Sequence, residues 1–270
     1  NHEALRGLTR LQLATGVAPE QVRQRLAAAV RQHPGDAEPH VMLVDLLLAL
    51  GRTAEALSAA QQAAAAAPTH LDVLDALGRA QLLGGAAQQA LASLGRVLAA
   101  QPASPRAHVH MAQAHLAQGN HDAAAPLLRR ALELEPPHLP AQQAQIALAL
   151  ARQQPAEAIA VARRIQAQRP TELVGYLAEA ELQASLGRRD LAAAALRNAY
   201  TRRPETETAV RLHRALLDAR QPAEAARHAQ AWRARHPADM AFVTHLGTMA
   251  MREGRHADAV ALYRQAAEGQ

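Results

Sequence analysis

The chain has 270 residues, with 29 basic residues against 24 acidic ones, a formal net charge of +5 and no cysteine. The lack of cysteine excludes disulfides and Cys-ligated zinc. Because every basic residue is Arg, a P-loop lysine and a Schiff-base lysine are excluded as well. No apolar run reaches eighteen residues, so the sequence predicts no membrane span.

The excess of positive charge lies in the second half of the chain. Residues 137–270 contain 18 Arg and 13 acidic residues, whereas the first 136 residues contain 11 of each. This bias is too weak to indicate nucleic acid, and no nucleic-acid partner is predicted. It favours an anionic partner for the C-terminal half, such as a polysaccharide, lipid headgroups or an acidic peptide.

A proline recurs along the chain with a period of 34 residues and one final spacing of 33. The seven prolines are Pro34, Pro68, Pro102, Pro136, Pro170, Pro204 and Pro237. This period, with two helices in each unit, is typical of a helix-turn-helix repeat array. Seven full repeats and one truncated repeat are predicted, at residues 3–36, 37–70, 71–104, 105–138, 139–172, 173–206, 207–239 and 240–270. They are expected to form a single solenoid over residues 1–270, a fragment of a longer chain.

Each repeat predicts a helix A of about thirteen residues, a turn, and a helix B of similar length. Glycine marks most of the turns, where a helix end takes a left-handed residue. Repeats five and seven instead carry Gln154-Pro155 and Gln221-Pro222, in which proline suits the first turn of helix B. Helix B has alanine at one recurring place, which predicts a close approach of two helix backbones. These alanines are Ala56, Ala90, Ala124, Ala158, Ala192, Ala225 and Ala259.

These marks resemble the tetratricopeptide repeat (TPR) family throughout the chain, as in Leu77-Gly78, Gly84, Ala90 and Pro102. The family's aromatic positions are mostly filled by other residues, among them His40, Leu74 and His108. The resemblance implies an all-α, right-handed α-solenoid. It also implies that the helices A line a concave groove, which would hold a protein or peptide ligand.

Residues 139–264 resemble a narrower group, in stretches such as Gly175–Glu181 and Trp232–Asp239. They are similar to the periplasmic TPR lipoproteins of the PEP-CTERM/exosortase system in exopolysaccharide-producing Gram-negative bacteria. This resemblance implies a non-catalytic scaffold for exopolysaccharide or sorted-protein export, in the periplasm or on the periplasmic face of the outer membrane. A cytoplasmic location stays open. The alternative is the substrate-selecting arm of a larger enzyme, such as a glycosyltransferase.

Eight polar residues of the second to fourth helices A are predicted to face the groove and to bind the partner. They are Glu38, Asp45, Asp72, Asp75, Arg79, Arg106, His110 and Gln113. Arg79 and Arg106 stand opposite acidic residues, so the same side chains can instead form internal pairs, which stabilise little when exposed. The family's lysine-dependent clamp for chaperone C-termini is absent, because the chain has no Lys.

Glu179 occupies position 7 of its repeat, where Leu43 and Leu77 stand in other repeats. A buried carboxylate needs a partner. Position 7 of the next repeat, counted from the predicted start, holds His213 with Arg214 beside it. Since packed helices lie about 8–10 Å apart, Glu179 is predicted to bond His213 or Arg214 and so fix the stacking of the two repeats.

The fourteen histidines do not predict a metal site. They recur at equivalent repeat positions, and His108, His110 and His115 do not give the i, i+4 pair that a helical metal site needs. The four serines lie outside any nucleophile-elbow motif. No catalytic residue, metal or cofactor is predicted, and binding rather than catalysis is the expected function.

Overall fold

The computed structural model describes residues 7–9, 11–12 and 15–269, and all regular secondary structure within them is helical. The helices with full bounds are α1 Pro19–Gln32, α2 Ala37–Ala49, α3 Thr53–Ala66, α4 Leu71–Leu83, α5 Ala87–Ala100, α6 Pro105–Ala117, α7 His121–Leu134, α8 Leu139–Ala151, α9 Pro155–Gln168, α10 Val174–Ser185, α11 Arg189–Arg202, α12 Thr206–Asp218, α13 Pro222–Arg235, α14 Met240–Arg252 and α15 His256–Glu268. The even-numbered helices are helices A and the odd-numbered ones helices B. The predicted all-helical fold is confirmed.

The helices belong to two compact units, one ending at Arg152 and the other beginning at Gln153. The boundary falls in the turn between α8 and α9, inside the fifth predicted repeat. The first unit therefore contains α1–α8 and the second contains α9–α15.

The turns within repeats are built around one left-handed residue. Gly51 and Gly85 have φ of 70° and 82° in the second and third repeats. In the fifth and seventh repeats the left-handed residues are Gln153 and Arg220, with φ of 59° and 56°. They precede the two Gln-Pro pairs, so the prolines begin the next helix without replacing the left-handed residue. A side chain in that conformation costs about 1–2 kcal/mol.

Small residues set the spacing between paired helices. The recurring alanines of helix B, from Ala56 to Ala259, are all buried. On the facing helix A of the third repeat, position 8 is Gly78, and a Cβ added there would lie only 2.5 Å from Cγ of Leu94. The two backbones therefore approach closely, as the alanine pattern predicts.

Repeat position 4, in the first turn of helix A, ties several repeats to the repeat before them. Nε2 of His40 lies 3.0 Å, and Nε2 of His108 2.9 Å, from the carbonyl oxygen of the proline that ends the preceding repeat. The Tyr176 hydroxyl donates a hydrogen bond of 3.3 Å to the corresponding proline carbonyl. Histidine at this family aromatic position therefore keeps the polar contact that tyrosine makes.

Helix α12 begins one residue before its predicted start. It begins at Thr206, two residues after Pro204, whereas α4 begins three residues after Pro68. With Thr206 as position 1, the buried His213 takes position 8, where Gly78 is buried in α4, and the buried Leu212 takes position 7. The chain is therefore one residue shorter in the turn before α12, rather than within the seventh repeat.

Candidate functional site

A network of charged side chains joins neighbouring helices A of the first unit. Arg79 on α4 donates from Nη2 to Asp45 of α2 at 2.7 Å and from Nε to Asp75 of its own helix at 3.1 Å. Asp45 and Arg79 occupy the same position in successive repeats. A spacing of one repeat in sequence thus becomes a direct contact, and Arg79 holds α2 against α4.

Asp75 is the buried centre of this network, with its side chain 2% exposed. Its Oδ1 lies 2.6 Å from Nδ1 of His110 on α6, and its Oδ2 lies 3.9 Å from Arg106. Burial raises the pKa of Asp75, but the hydrogen bond to His110 and the charges of His110, Arg79 and Arg106 outweigh it, and the pKa lies below its usual value. Asp75 therefore remains a carboxylate at neutral pH and links α4 to α6.

The network borders a cleft of about 380 Å³, called here the first-unit cleft. Its lining comprises Thr9, Glu38, Val41, Met42, Asp45, Leu46, Ala49, Asp72, Asp75, Arg79 and Arg106. Six of the eight predicted groove residues thus meet at one site. His110 contacts its wall through Asp75, whereas Gln113 is not part of the lining. The apolar floor, formed by Val41 and Met42 with their neighbours on α2, is absent from the predicted site.

The charges of the first-unit cleft are largely paired with one another. Arg79 is shared between Asp45 and Asp75, and Arg106 donates to Asp72 at 2.9 Å. The predicted internal pairs therefore form. Among the described lining residues, Asp45, Asp72 and Asp75 face two guanidiniums, so the summed charge of these five side chains is negative. This arrangement suits the binding of a positively charged group above an apolar floor.

Two family models, both described as Tetratricopeptide repeat, match residues 81–148 and residues 19–70 together with 210–270. Their matches together cover more than half of the chain. The chain belongs to the tetratricopeptide repeat family. None of the curated protein sequences matches it.

Solved structures share the TPR fold at low sequence identity. A tetratricopeptide repeat protein from Parabacteroides merdae is 18% identical with a TM-score of 0.57, over 86% of this chain and 92% of that one. PilW, described as a type IV pilus biogenesis factor, is 17% identical with a TM-score of 0.61, over 80% and 98%. PilF of Pseudomonas aeruginosa is 16% identical with a TM-score of 0.53, over 74% and 92%. Together they support a TPR α-solenoid fold for this chain.

The predicted bond from Glu179 to His213 or Arg214 is wrong. In the second unit of this TPR protein, Glu179 accepts hydrogen bonds from Nε of Arg163 at 2.8 Å and from Nε2 of Gln166 at 2.7 Å, both on helix α9. The carboxylate is 12% exposed and does need a partner, but the partner comes from the preceding helix B. The prediction also misplaced His213, which stands at position 8 of α12 rather than position 7.

His213 belongs to a cluster of rings in the same unit. Its Nδ1 lies 3.0 Å from Nε2 of His245, and its ring meets Phe242 edge to face. Burial lowers the pKa of His213 to about 4, with a further contribution from His245 and His228. Burial also lowers the pKa of His245 to about 4, and the charges of Arg214 and Arg252 add to the effect. Both imidazoles are therefore neutral at pH 7.

Trp232 is a core residue of the TPR stack, as the sequence predicts. It is 2% exposed, and its Nε1 donates to Oδ2 of Asp239 at 2.8 Å. Asp239 also accepts from the backbone N of Phe242 at the start of α14 and from the Thr206 hydroxyl of α12. Burial raises the pKa of Asp239, but these hydrogen bonds outweigh it and lower the pKa. Asp239 therefore joins α12, α13 and α14 through one carboxylate.

Metal ligands and membrane spans were considered for the part of the chain that the structure describes. No group of three or more His, Cys, Asp or Glu side chains in these residues is placed to hold a metal ion. None of the described helices is long and apolar enough to cross a membrane.

Proposed function

We propose that this TPR protein is a non-catalytic scaffold that binds a segment of another protein in the first-unit cleft. The observation that carries the proposal is the cleft itself, where charged side chains of α2, α4 and α6 surround an apolar floor. The buried Asp75 accepts a hydrogen bond from Arg79 and so fixes the position of that side chain. Binding side chains that are already fixed lose less conformational entropy when the partner arrives.

The charges of the cleft define the chemistry of the partner segment. The side chains of Asp45 and Asp72 are 49% and 46% exposed, and each forms an ion pair with an Arg, Asp45 with Arg79 and Asp72 with Arg106. A partner Arg or Lys beside an apolar residue would meet these carboxylates and cover Val41 and Met42 at the same time. The proposed ligand is therefore an extended segment that carries both a basic and an apolar side chain.

We place this scaffold in an export or assembly system of a Gram-negative cell envelope that serves exopolysaccharide or PEP-CTERM protein export, in the periplasm. Two considerations support this setting. Residues 139–264 resemble TPR lipoproteins that accompany that system. The structurally similar PilW is described as a pilus biogenesis factor, which is also an envelope assembly role.

The binding test uses variants that leave the buried network intact. Charge reversal at Arg79 is unsuitable, because it would place a carboxylate beside the buried Asp75. Asp45→Asn with Glu38→Gln lowers the negative charge of the cleft, and Ala49→Leu narrows it at an exposed position. Both variants should reduce capture of the partner from an envelope extract at least about tenfold, or about 1.4 kcal/mol. Glu133→Gln, which changes an exposed carboxylate of α7, is the matched control and should leave capture unchanged.

The cellular test separates the scaffold from its proposed setting. In a producing strain, the Asp45→Asn, Glu38→Gln double variant should lower secreted exopolysaccharide or sorted protein, while Glu133→Gln should not. If the cleft variants reduce partner capture but leave export unchanged, the proposed binding function is supported and the proposed role in export is wrong. If neither cleft variant affects capture, the first-unit cleft is not the binding site.

A further inference from the structure

A cleft of the second unit lies between α10, α11 and α12 and has a volume of about 530 Å³. Its apolar lining is Leu177, Ala180, Ala184, Ala192, Leu196 and Ala215, and its charged lining is Glu181, Arg189, Arg211, Arg214 and Asp218. This volume lies within the range of sites that bind small ligands or a few residues of a peptide. We call it the second-unit cleft.

The second-unit cleft opens where two neighbouring helices A are parted. Helices A pack directly on each other in the pairs α2 with α4, α4 with α6, α6 with α8, and α12 with α14. Helices α10 and α12 instead stand on either side of the cleft, whose deep wall comes from Ala192 and Leu196 of α11. The turn before α12 is also the turn that is one residue short. The small side chains of Ala180, Ala184 and Ala215 leave this space unfilled.

The arginines at this cleft differ from those of the first unit in their pairing. Arg211 is bonded to Glu207 at 2.8 Å and lies 3.5 Å from Glu181. Arg189 donates only a long hydrogen bond of 3.4 Å to the backbone carbonyl of Asp218. Across the described residues, neither Arg189 nor Arg214 forms an ion pair with a carboxylate. Two guanidiniums therefore border the cleft with no described carboxylate within ion-pair distance.

Arg214 stands at a position that is paired in the first unit. Counted from Thr206, it is position 9 of its repeat, and Glu181 is position 9 of the preceding repeat when counted from the predicted start Leu173. In the first unit the same position joins Asp45 to Arg79 directly. In the second unit Arg211 takes the contact with Glu181 instead, and Arg214 remains exposed at the cleft.

We infer that the second-unit cleft binds an acidic peptide segment of a partner protein. An apolar side chain of that segment would rest on Leu177, Leu196 and the alanines, and flanking Asp or Glu carboxylates would pair with Arg189 and Arg214. Burial of the apolar surface would stabilise the complex, and the charge-assisted hydrogen bonds would fix the orientation of the bound segment. A polysaccharide fits less well, since its hydroxyl groups would lose their hydrogen bonds against the apolar lining.

This site is independent of the first-unit cleft and opposite to it in charge. Its lining carries three arginines against two carboxylates, whereas the first-unit cleft has an excess of carboxylates. The two units thus select segments of opposite charge, so one chain is able to hold two different partner segments.

The test begins with a random peptide library displayed on phage and selected against the purified 270-residue chain. The selected sequences should share an apolar residue flanked by Asp or Glu. A fluorescein-labelled peptide of that consensus is then titrated with the chain and its variants, and binding is followed by fluorescence anisotropy. Arg189→Gln and Arg214→Gln should each weaken binding at least about tenfold. Ala184→Leu, a change at an exposed wall residue, should abolish binding without lowering the melting temperature.

The controls separate this site from general charge effects and from the first-unit cleft. Arg202→Gln removes an exposed charge of α11 outside the cleft, and Ala49→Leu alters the first-unit cleft. Neither should change the affinity for the consensus peptide. The inference is overturned if selection yields no acidic consensus, or if the cleft variants bind as the parent does. It is also overturned if alginate, an anionic polysaccharide, competes with the peptide and shows the same loss with Ala184→Leu.

Discussion

Asp75 Oδ1 and His110 Nδ1 lie 2.6 Å apart across the boundary between the third and fourth repeats. Two guanidiniums and the His110 imidazole surround this carboxylate, while the pair formed by Asp72 and Arg106 one turn away is half exposed. The same type of contact between successive repeats therefore occurs once in a buried setting and once in water. Removing one partner of the exposed pair should cost little stability, whereas removing one partner of the buried pair should cost more.

Replacing Asp75 by Asn should destabilise the first unit, because Arg79 and His110 lose a buried charged acceptor. The expected loss is about 1–3 kcal/mol in the free energy of unfolding, measured by urea titration with circular dichroism. Asp72→Asn is the matched control and should cost less than about 1 kcal/mol. Equal losses for the two variants would show that Asp75 is not the centre of the network.

Arg220 has a left-handed backbone that glycine adopts without strain. Arg220→Gly should therefore raise the unfolding free energy of the second unit, by about 1 kcal/mol. The fluorescence of Trp232, the single tryptophan of the chain, reports unfolding of this unit. Gly187→Ala makes the opposite change at a φ of 70° and should lower the stability by a similar amount. A destabilised Arg220→Gly protein would mean that contacts of the Arg220 side chain outweigh the backbone strain.

The recurring alanines of helix B should differ in their tolerance of larger side chains. Ala225 is 1% exposed. Ala225→Leu should therefore lower the free energy of unfolding by about 1–3 kcal/mol through overpacking. Ala192 borders the second-unit cleft, which has room for a larger side chain. Ala192→Leu should therefore cost clearly less in the same thermal unfolding experiment. If Ala192→Leu is the more costly change, the cleft is not open at that point.

The second unit should lose stability as the pH falls from about 6.5 towards 4. The pKa values of His213 and His245 are lowered to about 4 in the folded protein, so the unfolded chain binds protons first. Their contribution is present above the unfolded pKa of about 6.5 and is lost below it, at up to about 1.4 kcal/mol per pH unit for each proton. Melting curves followed by Trp232 fluorescence at several pH values measure this loss. His245→Gln should flatten the dependence, and an unchanged slope would contradict the assignment.

The sequence predicts the helix pairs well because one physical pattern repeats. Proline ends each unit, a small residue marks each close contact, and the same pattern places Asp45 beside Arg79 one repeat later. The partner of Glu179 was not predictable in this way. It comes from helix B of the preceding repeat, whose exposed Arg163 carries no mark that distinguishes it from other surface arginines.

The second-unit cleft was likewise missed, because it arises from a turn length and from side chains that are too small to fill it. A spacing of 33 residues between Pro204 and Pro237 shows that one residue is missing, but it does not show where. The burial of His213 and the start of α12 at Thr206 locate it in the turn. Cavities arise from such local differences between repeats. A prediction that treats all repeats as equivalent does not show them.

The most direct test of the central claim is site-specific photo-crosslinking in a strain that produces the protein. A benzoylphenylalanine residue is introduced in place of Ala49, inside the first-unit cleft, and separately in place of Gln62, on the exposed face of α3. The account predicts that Ala49 yields a crosslink to one discrete protein, that Asp45→Asn with Glu38→Gln abolishes it, and that Gln62 yields none. A crosslink from Gln62 to that protein, with none from Ala49, would contradict the proposal that the first-unit cleft binds the partner.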